Sequence, residues 1–275
     1  MRAPFASNAV RPDCWYDSLA RMSSNSFAIA KYKNDRKVRG YSLDTVISIK
    51  EETNPLFSTG TNLTFNWGGA SNEIETIKVI IGSRDHNEKV VKKLNFFINY
   101  LKEGRYRMED IYGSTPFSVD LKTDKPQLYN KLLKIKITGE DTFELSFNFN
   151  ELGADFLITY DSNTISQYVS NQTSFSKEFK AGDQINTPYF NFSLKKNRQF
   201  NIGETYFVSF GSFDGTVGAY RSRVSVRSLV AGASILSLSM SGPNKKRIVT
   251  YLNATVQVLE EDKQEQKILY ARKTK

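Results

Sequence analysis

The sequence predicts an α+β fold: a mixed α/β layer with a helix pair and a long C-terminal helix, carrying a β-rich inserted module. Three observations carry this. Tyr41, Leu43, Thr45, Ile47 and Ile49 alternate with polar residues, as a strand with one wet face does. Apolar residues recur at helical spacing on both sides of Gly82, and again beyond Gly242-Pro243. Between these segments, from Arg105 to about Phe210, short alternating runs are separated by turn residues.

Residues 1–40 show no period of 2 or 3.6 and read as a poorly ordered leader, foreign to a domain that occupies 41–275. After the first strand, an Asn- and Gly-rich loop leads to Trp67-Gly68-Gly69. Asn72, with Glu75 three positions on, offers a start for a helix carrying Ile74, Ile77 and Ile81, and Gly82 ends it. Asp85 and Glu88 repeat that pattern. Val90, Val91, Leu94, Phe97, Ile98 and Leu101 then predict a second amphipathic helix running up to Gly104.

Strands are expected at 116–121, 133–137, 143–149, 156–160, 189–194 and 206–210, with Gly139-Glu-Asp141 and Ala181-Gly-Asp183 as turns. Their spacing points to a sandwich- or barrel-like module, inserted at about 120–200. A short helix follows at 217–226, then a strand at 234–240 and a break at Gly242-Pro243. A long helix starts there, with Pro243 in its first turn, where a missing N–H is harmless. Ile248, Leu252, Val256 and Leu259 form its buried stripe, and beyond Glu260 it is charged.

The chemistry that the chain offers is sparse. One cysteine, Cys14, excludes an internal disulfide and any cysteine-based metal cluster, and one histidine, His86, leaves little for a zinc site or acid–base catalysis. The phosphate-loop, zinc-protease and nucleophile-elbow signatures are all missing, so no catalytic, cofactor-binding or metal-ligating residue is expected. Glu51, Glu52, Glu109, Asp110 and Asp155 could supply a glycosidase pair, but a solvated acidic face is the commoner use of such residues. The net charge of +9 is spread out, without the aromatic interleaving of a nucleic-acid binder, so no nucleic-acid partner is expected. No run approaches the length of about 20 apolar residues that a membrane-spanning helix needs. His86 stands at a helix start, where capping is the first reading and a ligand or partner contact the second. Trp67, flanked by Asn66 and two glycines, is the candidate glycan contact.

Three stretches carry a resemblance: Ser48-Ile-Lys-Glu-Glu-Thr-Asn-Pro-Leu-Phe-Ser58 on to Phe65-Asn-Trp-Gly-Gly69, Ser83-Arg-Asp-His-Asn-Glu-Lys-Val-Val91 through Tyr112-Gly-Ser-Thr-Pro116, and Asn244-Lys-Lys-Arg-Ile-Val-Thr-Tyr-Leu-Asn253 on to Asp262. Over roughly residues 30–275 the chain resembles the periplasmic region of chain-length-determinant proteins of the polysaccharide co-polymerase family. It is most similar to the Bacteroidetes-type members that continue into a cytoplasmic tyrosine autokinase. The resemblance implies a domain anchored in the inner membrane through flanking transmembrane helices. It implies self-association into a ring, with a polysaccharide polymerase, an outer-membrane export channel and the polysaccharide itself as partners. The kinase's nucleotide-binding motifs have no counterpart here, so no enzyme activity is carried over, and the chain reads as a piece of a larger protein. Within that reading Glu260, Glu261 and Asp262, in a stretch of mixed charge, suit a polar contact between neighbouring copies. The alternative is a free-standing β-rich carbohydrate-binding module or adhesin, which would need exposed aromatic rings lining a groove.

Overall fold

The computed structural model describes residues 40–48, 69–150, 154–229 and 235–273; the leader up to Arg39 and Trp67 lie outside them. The chain opens with strand β1 (Tyr41–Ser48) and helices α1 (Gly69–Gly82) and α2 (Arg84–Leu94). Strands β2 (Ile98–Glu103), β3 (Met108–Asp110), β4 (Phe117–Leu121), β5 (Gln127–Leu128), β6 (Leu133–Ile137) and β7 (Thr142–Asn148) come next. Then follow β8 (Asp155–Thr159), β9 (Thr164–Tyr168), β10 (Ser174–Lys180), β11 (Gln184–Asn186), β12 (Asn191–Lys196) and β13 (Thr205–Phe210). Helix α3 (Phe213–Arg221), strands β14 (Val224–Ser228) and β15 (Ile235–Gly242) and the long helix α4 (Lys245–Lys273) complete the order.

The strands form four sheets, of orders β1-β15-β14, β10-β7-β6-β13-β2-β3, β11-β12-β4 and β5-β8-β9. Every pairing between these strands is antiparallel. This overturns the expected α+β layer with its helix pair. Among the described residues fifteen strands stand against four helices, and the fold is β-rich with helices added to it. The six-stranded sheet combines strands from the 120–200 segment with β2 and β3 from before it and β13 from after it.

The second helix is shorter than its apolar periodicity predicts. It stops at Leu94, because Asn95 takes the left-handed conformation (φ 51°) and its N–H bonds back to Lys92. Asparagine tolerates that conformation better than other side-chain-bearing residues, so it serves as a stop. The residues beyond it form β2, which buries Ile98 and Tyr100 and pairs with β13. Caps also differ from expectation. Helix α1 begins at Gly69, before Asn72; the Oγ of Ser83 caps α2 by accepting from His86 N at 3.2 Å. Asn244, not Pro243, starts α4, its Oδ1 accepting from Arg247 N at 3.1 Å. The helix expected at 217–226 becomes α3 followed by β14.

Burial follows strand period where one face is covered. In β6, Leu133, Ile135 and Ile137 are buried while Lys134 and Lys136 face water. Strand β7 offers Phe143, Leu145 and Phe147 in the same way. Rings join this sheet to the β12 sheet: Phe190 contacts Phe147 at 5.9 Å and Phe192 contacts Phe210 at 5.6 Å between centroids. In the first sheet, Leu43, Thr45 and Ile47 pair with Met240, Leu238 and Leu236, so the alternation of β1 meets a buried face of β15. Helix α4 packs against β1, β15 and α2.

Candidate functional site

The first turn of α4 gathers the polar chemistry of the core. Lys245, Lys246 and Arg247 are consecutive, and a helix turns by about 100° per residue, so they cannot share one environment. Arg247 points inward and is buried. Its Nε lies 2.7 Å from Asp110 Oδ2, and its terminal nitrogens donate to the carbonyls of Phe96 (3.4 Å) and Ile98 (2.9 Å). The guanidinium carbon stands 4.6 Å from the centroid of the Tyr112 ring and 5.0 Å from that of Phe96. Asp110 Oδ1 also accepts from Tyr112 N at 2.9 Å and Asn244 Nδ2 at 3.2 Å. The start of α4 is thereby tied to β2 and β3 by charge, hydrogen bonds and ring stacking.

An open cleft of about 700 Å3 lies beside this hub, between α4, the segment leading into β4 and the turn after β12. Tyr100, Tyr112, Phe117 and Val249 contribute its apolar wall. Burial raises the phenol pKa of Tyr100 and Tyr112, so both stay protonated at neutral pH. Arg198, Lys245 and Lys246 line the cleft, and its lining contains no carboxylate. The turn bearing Arg198 is fixed by two hydrogen bonds to Pro116 O, from Asn197 N (2.8 Å) and Arg198 N (3.0 Å). Lys246 Nζ donates to Gly113 O at 2.7 Å. Gly113 has φ +74°, a conformation that favours glycine, and a Cβ there would come within 2.5 Å of Lys246 Cδ and displace that side chain.

The acidic residues expected at a contact between copies are placed on α4 beside α2. Asp262 pairs with Lys89 at 2.9 Å and Glu261 with Lys93 at 2.5 Å, whereas Glu260 is exposed and makes no ion pair among the described residues. Such exposed pairs contribute only about 0–1 kcal/mol each. Sequence spacing placed the three together; it gave no sign that two of them would be engaged within the chain.

His86 sits under this seam. Its side chain does not cap a helix: it is buried, and neither ring nitrogen has a hydrogen-bond partner among the described residues. Desolvation lowers its pKa, opposed by Asp262 and Asp85 and aided by Lys89. The unfolded chain therefore takes up a proton as pH falls below about 6.5, while the folded chain holds His86 neutral to a lower pH. Stability should fall with pH in that window, by at most about 1.4 kcal/mol per pH unit from this group. Urea unfolding at pH 7 and pH 5 checks it: His86→Phe should lose less stability across the interval than the parent chain, and equal losses would refute the assignment.

Among the described residues, the exposed aromatic side chains are Tyr41 on β1, Tyr106 in the β2–β3 turn and Phe156 on β8, and no ring contact joins one to another. Nor do three or more His, Cys, Asp or Glu come together there as metal ligands. No described helix is long and apolar enough to cross a membrane.

In comparisons with known proteins, no family model matches the chain, and no curated protein matches it. A solved structure with partial likeness is FlgL of Xanthomonas campestris, at 10% identity and a TM-score of 0.17, covering 65% of this chain. The alignment spans 55% of that protein's length, and a likeness at this level assigns neither fold nor function.

Proposed function

We propose that this chain is the periplasmic scaffold of a polysaccharide co-polymerase, which regulates the length and export of a capsular or exopolysaccharide and carries no enzyme active site. The observation that carries the reading is the way the chain closes on itself. Strand β1 pairs along all eight of its residues with β15, and β15 leads through Asn244 into α4, which packs on both strands. A co-polymerase domain is entered by its first strand and left by its return helix, so it needs those two elements in one layer. The aromatic residues also support a scaffold over a carbohydrate-binding module. Phe96, Phe97, Phe117, Phe143, Phe190, Phe192 and Phe210 are all buried, and among the described residues the exposed rings are on separate elements.

Deleting residues 41–273 from the membrane-inserted protein in its host is expected to change the length distribution of the exported polysaccharide. An unchanged distribution overturns the reading. The contact between copies is tested more finely by Glu260→Lys, because reversing Glu261 or Asp262 would also break the pairs with Lys93 and Lys89. Glu260→Lys should alter polymer length while leaving unfolding free energy within about 0.5 kcal/mol of the parent. Normal expression with unaltered polymer length would remove Glu260 from the interface.

A further inference from the structure

We propose that the cleft beside the first turn of α4 binds a carboxylate-bearing sugar residue, such as a uronate, of the handled polymer; calling that sugar part of the polymer rests on the scaffold reading above. The walls divide into the two surfaces that an acidic pyranose presents. Tyr112 and Val249 offer accessible apolar surface to the C–H face of a sugar ring, Tyr100 and Phe117 being buried, and Arg198, Lys245 and Lys246 offer positive charge with no carboxylate among the lining residues to neutralise it. Arg198 and Lys245 are exposed and make no ion pair among the described residues, so both are free to meet an anion. The guanidinium fork of Arg198 matches a carboxylate in a bidentate way, which favours a carboxylated sugar over a neutral one.

A second observation is independent of charge. Thr115 lines the cleft and is 7% exposed, yet its hydroxyl makes no hydrogen bond among the described residues. Among the described residues the fully buried side-chain N and O atoms without a partner belong to His86 and Arg247, so the Thr115 hydroxyl reaches the solvent of the cleft with its hydrogen-bonding capacity open to a ligand. A sugar hydroxyl in the cleft would meet it.

Calorimetry of the full 275-residue chain with a galacturonate oligosaccharide tests the assignment, with the carboxyl-reduced neutral oligosaccharide and inorganic phosphate as parallel probes. The uronate should bind saturably and more weakly as salt rises. The neutral analogue and phosphate should bind at least about tenfold more weakly, as loss of a charge-assisted or a sugar-face contact implies. Arg198→Ala with Lys245→Ala should reduce uronate affinity by at least about tenfold with unchanged thermal unfolding, and Thr115→Val by a smaller factor. Equal affinity for neutral and acidic oligosaccharides, phosphate binding as tight as the uronate, or full affinity in the double variant would each overturn the site. Absence of uronate binding, with polymer length still responding to deletion of 41–273, would overturn the cleft and leave the scaffold standing.

Discussion

Replacing Arg247 by methionine is expected to lower the unfolding free energy by about 3–5 kcal/mol, the loss that follows when one partner of a buried ion pair is removed. Methionine fills much of the same volume, so the loss reports on polar partners more than on a cavity. It leaves Asp110 without its cation and the carbonyls of Phe96 and Ile98 without their donors, and it removes the stacking on Tyr112. Arg247→Lys should lie between the two, since a lysine keeps the charge and loses the fork. Equilibrium urea unfolding measures both. A loss below about 1 kcal/mol for the methionine variant would mean that the hub is as weak as a surface pair.

The second large effect is expected at Phe190. This ring is fully buried and contacts Tyr189 at 5.0 Å, Phe175 at 5.5 Å, Phe192 at 5.5 Å and Phe147 at 5.9 Å. Phe190→Ala removes the ring and leaves a cavity between two sheets, so a loss of about 3–5 kcal/mol follows. Phe156→Ala, on an exposed ring, should stay within about 0.5 kcal/mol of the parent. Guanidinium midpoints of the two variants make the comparison, and similar shifts in both would contradict the placement of Phe190 at the centre of the sheet packing.

Several strands were legible for one physical reason. A strand covered on one face alternates, and the alternation survives in the sequence, as at Leu133–Ile137 and in the Phe143, Leu145, Phe147 series. Strands β9 and β10 escaped notice because Thr164–Ile165–Ser166–Gln167 is exposed throughout and β10 is almost so, leaving little apolar period to read. The run from Val90 to Leu101 fits a helical period over its whole length, yet α2 ends at Leu94 and β2 begins at Ile98. Short apolar runs satisfy both periods, and the deciding signal was a single asparagine, Asn95, in the left-handed region.

For the candidate site, the sequence by itself determined the residue types and the local starts and stops. It placed Gly82 at the end of α1, Ile248, Leu252 and Leu259 on the buried stripe of α4, and three basic residues in a row behind Asn244. Tertiary structure alone decided what those basic residues do. Arg247 is buried because Asp110 arrives on β3 and Phe96 and Ile98 arrive from the other side of α2, all more than 130 residues away in the chain. Lys245 and Lys246 face the cleft because the segment around Gly113 and the turn at Arg198 close its other walls. A charge is tolerated inside a fold only where distant groups converge on it, and the periodicity of one helix records which way a side chain points but not what waits there.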